Sequence, residues 1–334
     1  MNKQMIRAAR RADAEARISL DKRRAWFVGQ TPVVDQVWAD LEPALRVRFF
    51  TALNRLPPSE NIFDLYNVQT STSASEELLT DEGLSIGDVP EYNGAIEYDS
   101  PTLAEPFEIH HTEYAKGFAV KRSLVDDAKY NIIGALADNL GVAFQRKRLT
   151  KAADIFNKAF STSFVGPDGK PLVADDHPVG SSTASNKGTA ALSHEAVIGA
   201  RREMLEWEDI NGNPLMVSPD TIVVPTTLEA EAWTIVNSLN KPGTANNDAN
   251  FVRSLNWQVK VSRFIADADA WFLVDSQLAR LYNYWFNRVL PEFALDPRST
   301  YDLEARYRGY MRFSRGFSGW QWIWGSDGSA DDGV

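Results

Sequence analysis

Cysteine is absent from the 334 residues, which excludes disulfides, thiolate catalysis and cysteine-ligated zinc. No apolar run approaches the ~18 residues of a membrane span, and the basic amino terminus carries no apolar signal segment. Such a chain is expected to stay in the cytoplasm where it is made. Grouped positive charge is scarce too. The formal net charge of -10 argues against a dedicated DNA-binding domain, because phosphate contacts need clustered Lys and Arg. The same argument does not exclude an acidic protein that merely surrounds nucleic acid.

The sharpest local absence runs from Leu56 to Ala115, where Lys and Arg do not occur. Acids keep arriving there, among them Glu76, Glu77, Asp81, Glu82, Asp88, Glu97, Asp99, Glu108 and Glu113. Turn signals at Asn93-Gly94 and Ser100-Pro101 separate alternating stretches such as Ile96-Glu97-Tyr98 and Phe107-Glu108-Ile109. The apolar content is too thin for an independent core. Two extended limbs of about 20 residues each would reach ~65 Å, which predicts a projecting arm. One-signed charge on such an arm repels itself and favours a basic partner.

A partner of that kind stands further along. From about Val120 to Phe160 there is no proline, and Leu124, Ala128, Ile132, Leu136, Leu140, Ala143 or Phe144, then Ala152, Ile155 and Phe156 recur at helical spacing. Forty-odd residues at ~1.5 Å each give a rod of roughly 60 Å, against a radius of gyration of about 20 Å for a compact globule of this length. The rod suits a flat, elongated protein, although Gly134 and Gly141 each cost ~1 kcal/mol in an unbroken helix. It carries Arg146, Lys147, Arg148 and Lys151 close together. The expectation is that Glu76, Glu77, Asp81 and Glu82 of one copy lie over these four residues of the next. An acidic surface loop that touches nothing is the plainer alternative.

The flanks read less distinctively. Residues 1–24 are rich in Ala and Arg, with Arg7, Arg10, Arg11 and Arg17 on one helical face. They suit a solvated arm or an arm that meets neighbours, a scaffold or nucleic acid. Pro32, Pro43 and Pro57-Pro58 punctuate a helical region through Trp38, Leu41, Leu45 and Phe49. After the rod, a Gly/Pro/Ser/Asp-rich loop leads to an α/β pattern. A helix starts at Ser193, a strand covers Thr221–Val224, a helix runs through Leu228 to Val236, and strands follow at Gln258–Val261 and Trp271–Val274. An aromatic carboxy-terminal part contains a long strand over Tyr301–Phe313 and closes on Gly319–Gly325, with the last ten residues frayed.

Candidate chemistry is thin. His110 and His111 are adjacent and on a regular strand point to opposite faces, so they cannot chelate one ion; strand surface is the expected role. Asp175-Asp176-His177-Pro178 reads as an Asx-type turn stiffened by proline rather than a hydrated cation site. Gly166–Pro171 lacks the spacing of a phosphate loop, and no nucleophile elbow, dinucleotide fingerprint or zincin helix occurs. The Trp-rich close lacks the interleaved Lys and Arg of a base-stacking platform. No catalytic residue, metal ligand or cofactor site is expected, and the chain is not read as an enzyme.

Several strings together resemble a known family. Glu113–Arg122 followed by Leu124 and Asp126-Asp127 is similar to the strand-to-spine junction of tailed-phage major capsid proteins, and more narrowly to the Mu-like major head subunit group. Val89–Tyr92, Leu172 with Asp176-His177-Pro178, Pro219 with Ile222–Pro225, and Gly319–Ser326 follow in matching order over roughly residues 60–326. The resemblance implies an α+β chain of the HK97-type capsid fold. Its parts would be an N-terminal arm (1–58), an extended E-loop with flanking P-domain strands (59–117), a P domain with a long spine helix and following loop (118–192), an A domain (193–290), and C-terminal P-domain strands and tail (291–334). It implies a major head subunit that self-assembles into pentamers and hexamers of an icosahedral shell enclosing double-stranded DNA without reading its sequence. Scaffold, protease and portal proteins would be its assembly partners, the host bacterial cytoplasm its place of assembly and the virion its destination. No lysine lies between Lys22 and Lys116, so the isopeptide weld that some members form from an E-loop lysine is not expected. Two rivals remain open: an encapsulin-like nanocompartment shell protein, and a metal-dependent hydrolase using His110, Asp176 or His177.

Overall fold

The computed structural model describes residues 34–55, 61–79, 106–243, 248–296 and 304–330, with the single positions 91, 96 and 98. The basic segment 1–24, Asp81 and Glu82, the Asn93-Gly94 turn and the loop residues 244–247 lie outside them. In chain order the elements begin with helix α1 (Val34–Leu53) and strands β1 (Asn67–Thr70), β2 (Ser75–Leu78), β3 (Phe107–His110) and β4 (Thr112–Lys121). Helices α2 (Arg122–Asp126) and α3 (Tyr130–Asn157) follow, then β5 (His177–Val179), β6 (Ser182–Ala184), β7 (Lys187–Ala190) and α4 (His194–Leu205). Next come β8 (Thr221–Val224), α5 (Glu229–Asn237), α6 (Phe251–Ser254), β9 (Gln258–Val261) and β10 (Trp271–Val274). The chain closes with α7 (Ser276–Tyr282), β11 (Asn283–Leu295), β12 (Glu304–Phe317) and β13 (Ile323–Ala330). Two compact units result among the described residues: 34–55, 113–148, 289–296 and 304–312 form one, and 61–79, 106–112, 149–243, 248–288 and 313–330 the other.

The first unit is built on α1 and the opening turns of α3. Trp38, Leu41, Leu45, Phe49 and Ala52 recur at three- and four-residue intervals along α1 and are buried. Pro43, which the sequence reading treats as punctuation, lies inside this helix. Its missing N–H is outweighed because buried residues on both sides anchor the two halves. Gly141 of α3 faces α1 so closely that a Cβ there would stand 2.9 Å from Ala52 Cβ and closer still to the Phe49 carbonyl oxygen. The glycine is therefore a contact point between backbones, not a weak spot in the helix. Gly134 is tight in the same sense against the Arg48 side chain, which pairs in bidentate fashion with Asp138. Phe49 packs edge-on to Phe144 at 5.5 Å, and Phe293 stacks on Tyr307 at 5.8 Å beneath the helices. Tyr307 closes this core by donating its hydroxyl proton to the Trp38 carbonyl at 3.0 Å, and burial raises its pKa.

The rod expected over Val120–Phe160 is two helices. Ala128 adopts φ +56, a left-handed conformation, and ends α2. The Lys129 N–H donates to the Leu124 carbonyl at 2.8 Å and the Ala128 N–H to the Val125 carbonyl at 2.9 Å, the paired bonds of a Schellman closure. Glycine normally fills that position; alanine carries the Cβ penalty, which is why the sequence shows no sign of the break. The remaining helix, α3, has 28 residues, or about 42 Å.

The second unit holds a five-stranded sheet in the order β7-β13-β10-β8-β9. β8 and β9 are parallel, as are β13 and β7, while β10 runs antiparallel to both neighbours. Alternation along β10 sends Trp271 and Leu273 into a core with α4 and α5, through Val197, Met204, Ala232 and Ile235. Phe272 points the other way, onto Phe156 at 5.2 Å. Both faces are thus covered, which explains why Thr221–Val224 and Trp271–Val274 are uniformly buried. Residues from Ile323 to Ala330 form a paired strand, where the sequence reading expects fraying beyond Gly325. Helix α7, capped by Asp275 through the N–H groups of Gln277 and Leu278, is absent from that reading.

Two substitutions separate the roles of these positions. Ala128→Gly is expected to stabilise the unassembled subunit by about 1 kcal/mol by relieving the left-handed alanine. Gly141→Val is expected to cost about 3 kcal/mol by forcing α1 and α3 apart. Equilibrium urea denaturation of the subunit measures both.

Candidate assembly interface

The acidic side of the expected contact begins on a hairpin. β2 and β3 pair antiparallel with Leu78 opposite Phe107, Glu77 opposite Glu108 and Glu76 opposite Ile109. Alternation puts Leu78, Phe107, Glu76 and Ile109 on one face. Leu78 and Ile109 pack there against Phe286, with Tyr284 stacked on Phe286 at 5.5 Å. Gly316 leaves room for Ile109; a Cβ would collide with the Ile109 side chain. Glu76, on this inner face, accepts from the Ser71 hydroxyl and lies 3.4 Å from His111 Nε2. His111 is buried, not on the strand surface that the sequence suggests, because β4 begins just after it and Ser71 and Glu76 close over its ring. Glu77 and Glu108 are exposed and directly opposed on the outer face, an arrangement of like charges that disfavours the isolated hairpin. Asp81 and Glu82 fall outside the described residues.

The basic side is divided by helical geometry. At about 100° per residue, Arg146, Lys147, Arg148 and Lys151 cannot share one face of α3. Arg146 and Lys147 are exposed, and Lys147 Nζ sits 5.0 Å above the Tyr114 ring of β4. Arg148 is half-buried, and burial lowers its pKa. Lys151 donates to Asp154 at 2.7 Å, and the same carboxylate oxygen accepts from Arg315 at 3.1 Å. Beside this network Tyr66 donates to the Ala152 carbonyl at 2.6 Å, and burial raises its pKa. Lys151 is thus engaged within its own subunit. Lys116, which the sequence reading passes over, is exposed on β4 and, two residues on, shares a strand face with Tyr114. The period of two from Tyr114 was the available signal.

The residues weighed as catalytic or metal-binding are otherwise occupied. His177 is buried, stacks on Trp320 at 4.7 Å, and places Nδ1 2.7 Å from Asp168 Oδ2 and Nε2 3.2 Å from Asn186 Oδ1. Asn186 in turn donates to the Leu172 and Ile323 carbonyls at 2.8 and 3.0 Å. Asp176 pairs with Lys170, which holds its carboxyl below the ordinary range. The segment 175–178 is therefore a wired corner leading into β5, and the Asx-type bond falls on Asp168, whose Oδ1 accepts from the Lys170 N–H at 3.0 Å. Among the described residues no group of three or more His, Asp or Glu is arranged to hold a metal ion, and no helix is long and apolar enough to cross a membrane.

Lys147→Glu is expected to shift subunit stability by no more than about 0.5 kcal/mol, since it removes only an exposed ring contact. Lys151→Glu is expected to cost about 2 kcal/mol, because it sets a second carboxylate against Asp154. Urea denaturation of the two variants beside the parent checks the division between exposed and internally committed bases.

Three solved structures share this architecture. A virus-like particle from Pyrococcus furiosus matches with a TM-score of 0.52 at 11% identity, over 85% of this chain and 97% of that one. The procapsid of bacteriophage JBD30 matches with a TM-score of 0.52 at 17% identity, over 91% and 78%. The capsid of the empty GTA particle matches with a TM-score of 0.51 at 17% identity, over 80% and 89%. The shared architecture is the HK97-type capsid fold, with mixed helix and sheet. No curated protein matches the sequence. The model of the family described as phage capsid protein matches residues 106–324, from the second strand of the hairpin through the tryptophan-rich close of the sheet, so the chain belongs to the phage capsid protein family and is a structural protein of the virion.

Proposed function

We propose that the chain is the major head subunit of a tailed-phage-type particle, closing as pentamers and hexamers into an icosahedral shell around double-stranded DNA. The family match over residues 106–324 carries this reading. The charge distribution supports it: an arm without Lys or Arg, and two exposed basic residues, Arg146 and Lys147, on α3. Net charge of -10 suits a wall that does not adhere to the DNA it holds. The five-part division stands as part of the proposal, with the acidic arm as E-loop, α3 as spine and residues 193–290 as A domain. The loop at Asn240–Asn247 is placed nearest the capsomer axis, where one sequence must serve five-fold and six-fold settings. Scaffold, protease and portal proteins are the proposed assembly partners, and the host bacterial cytoplasm the site of assembly.

The mechanism is mechanical. Each arm-to-neighbour contact is modest, but many engage at once, so the effective concentration of every further contact is high once the first has formed. Ring closure keeps head-to-tail contacts from growing into open fibres. Of the eight residues expected at the contact, Glu77, Arg146 and Lys147 are exposed, Asp81 and Glu82 belong to the arm by sequence, and Glu76, Arg148 and Lys151 support it from within the subunit.

Electron microscopy of the overexpressed, purified chain should show closed particles of uniform diameter with five- and six-fold capsomers. A monodisperse monomer under all assembly conditions would refute the reading, and particles filled with a protein cargo instead of DNA would favour a nanocompartment. Arg146→Glu with Lys147→Glu should lower particle yield at low ionic strength while leaving the subunit folded, with the deficit shrinking as salt screens the parent contact.

A further inference from the structure

At the carboxy-terminal end of α3, basic charge exceeds what the surrounding acids neutralise. Lys151, Asp154 and Lys158 are spaced by three and four residues, which sets them along one row of the helix. Arg315 of β12 reaches the same row and donates from Nη2 to Asp154 Oδ2 at 3.1 Å. That oxygen already accepts from Lys151 Nζ at 2.7 Å. Phe164, in the loop after the helix, has Arg315 Cζ 5.4 Å and Lys158 Nζ 5.9 Å from its ring centre. Three cations thus gather about one carboxylate, a surplus of two positive charges.

The donors left over identify what the cluster is built to receive. The Arg315 side chain is 13% exposed. A guanidinium has five N–H groups and does not lose its charge in a protein. Among the described residues Arg315 gives one of them to Asp154, while its Nε is buried without an acceptor. A buried donor in that condition carries the full cost of its lost hydration. Lys151 gives Asp154 one of its three N–H groups. The helix dipole accounts for a lysine at the last turn, but not for a guanidinium held in the interior with its Nε unbonded. A water molecule would satisfy Nε and leave the charge. A carboxylate would bring one charge and two oxygens. A phosphate group brings about -1.5 to -2 at neutral pH and three or more acceptor oxygens, which fits both the surplus and the spare donors.

We propose that Lys151, Lys158 and Arg315 form a phosphate site. Arg315 offers the fork of Nε and Nη, Lys151 shares its ammonium between Asp154 and the phosphate, and Lys158, which is exposed, closes over it from the solvent side. Asp154 holds the two inner cations in place and tempers the affinity. The phosphate is either the free ion or a group on the backbone of enclosed DNA; the first needs nothing from the capsid reading, and the second rests on it.

Isothermal titration of inorganic phosphate into the purified chain, against chloride at matched ionic strength, tests the site. One phosphate should bind per chain. Lys158→Gln should weaken binding by about tenfold, the loss of one charge-assisted bond, without lowering the melting temperature. Asp154→Asn should strengthen binding, because the amide keeps an acceptor oxygen for Lys151 and removes the charge that competes with phosphate. A purely structural ion-pair network gives the opposite, a weakened subunit with no gain in phosphate affinity, and that result overturns the proposal. Heat indistinguishable from that of chloride overturns it as well. So does equal affinity in the parent and Lys158→Gln, which would mark an adventitious ion only. A short DNA duplex added to the phosphate-loaded parent separates the sources: displacement assigns the site to backbone phosphate, and undisturbed phosphate assigns it to the free ion. Particle formation plays no part in the titration, so the capsid reading can fail while the site stands.

Discussion

Around Gly141, α3 lies so near α1 that no side chain fits between the backbones, and the buried surfaces of both helices follow from that approach. A residue of ordinary size would open the interface by the width of a methyl group along the rows that hold Phe49, Ala52 and Phe144. Interiors packed to crystal-like density have no slack to absorb that. Further along, from Ala152 to Phe156, the same helix presents a different buried surface, with Phe156 against Phe272. One helix therefore serves two cores, and its sequence changes character between them: glycine and alanine where backbones meet, aromatic and aliphatic bulk where a sheet must be covered.

Much of this was legible in the sequence wherever a single force dominated. Strands Gln258–Val261 and Trp271–Val274 have the expected limits because continuous apolar runs bounded by turn residues leave few alternatives. The helix after Ser193 was equally clear, since the Ser193 hydroxyl accepts from the Ala196 N–H at 3.2 Å as a capping residue should. Legibility failed where tertiary contacts overrode local preference. Ala128 carries no turn signal, Pro43 is tolerated in mid-helix, and α7 is a short helix whose only local marker is its Asp275 cap. His111 and His177 are buried by residues distant in sequence, which a reading of neighbours cannot reveal. The capsid family was recognised from the order of short strings, each weak alone, and the family match covers most of the span they occupy.

The charge pattern shows a similar limit. A run of basic residues in sequence reads as one patch, but a helix distributes consecutive positions around its axis. Arg146 and Lys147 reach solvent, whereas Lys151 is spent on Asp154. Glu76 and Glu77 part in the same way, by the two-residue alternation of a strand. Secondary structure thus sorts each charge cluster into members half-buried within the subunit and members exposed to solvent. An assembling protein needs both, since a contact surface is useful only on a body stiff enough to present it repeatedly.

The position of β13 bears on when the subunit becomes competent. This strand comes last among the described elements, yet it is inserted between β10 and β7, and among the described residues it is β7's one partner in that sheet. While the chain is still emerging from the ribosome, β7 lacks β13, and Asn186 lacks the Ile323 carbonyl and the Gly325 amide that complete its bonds. Nascent chains are therefore held back from finishing this layer until synthesis has passed it. The order of translation itself separates making a subunit from building with it.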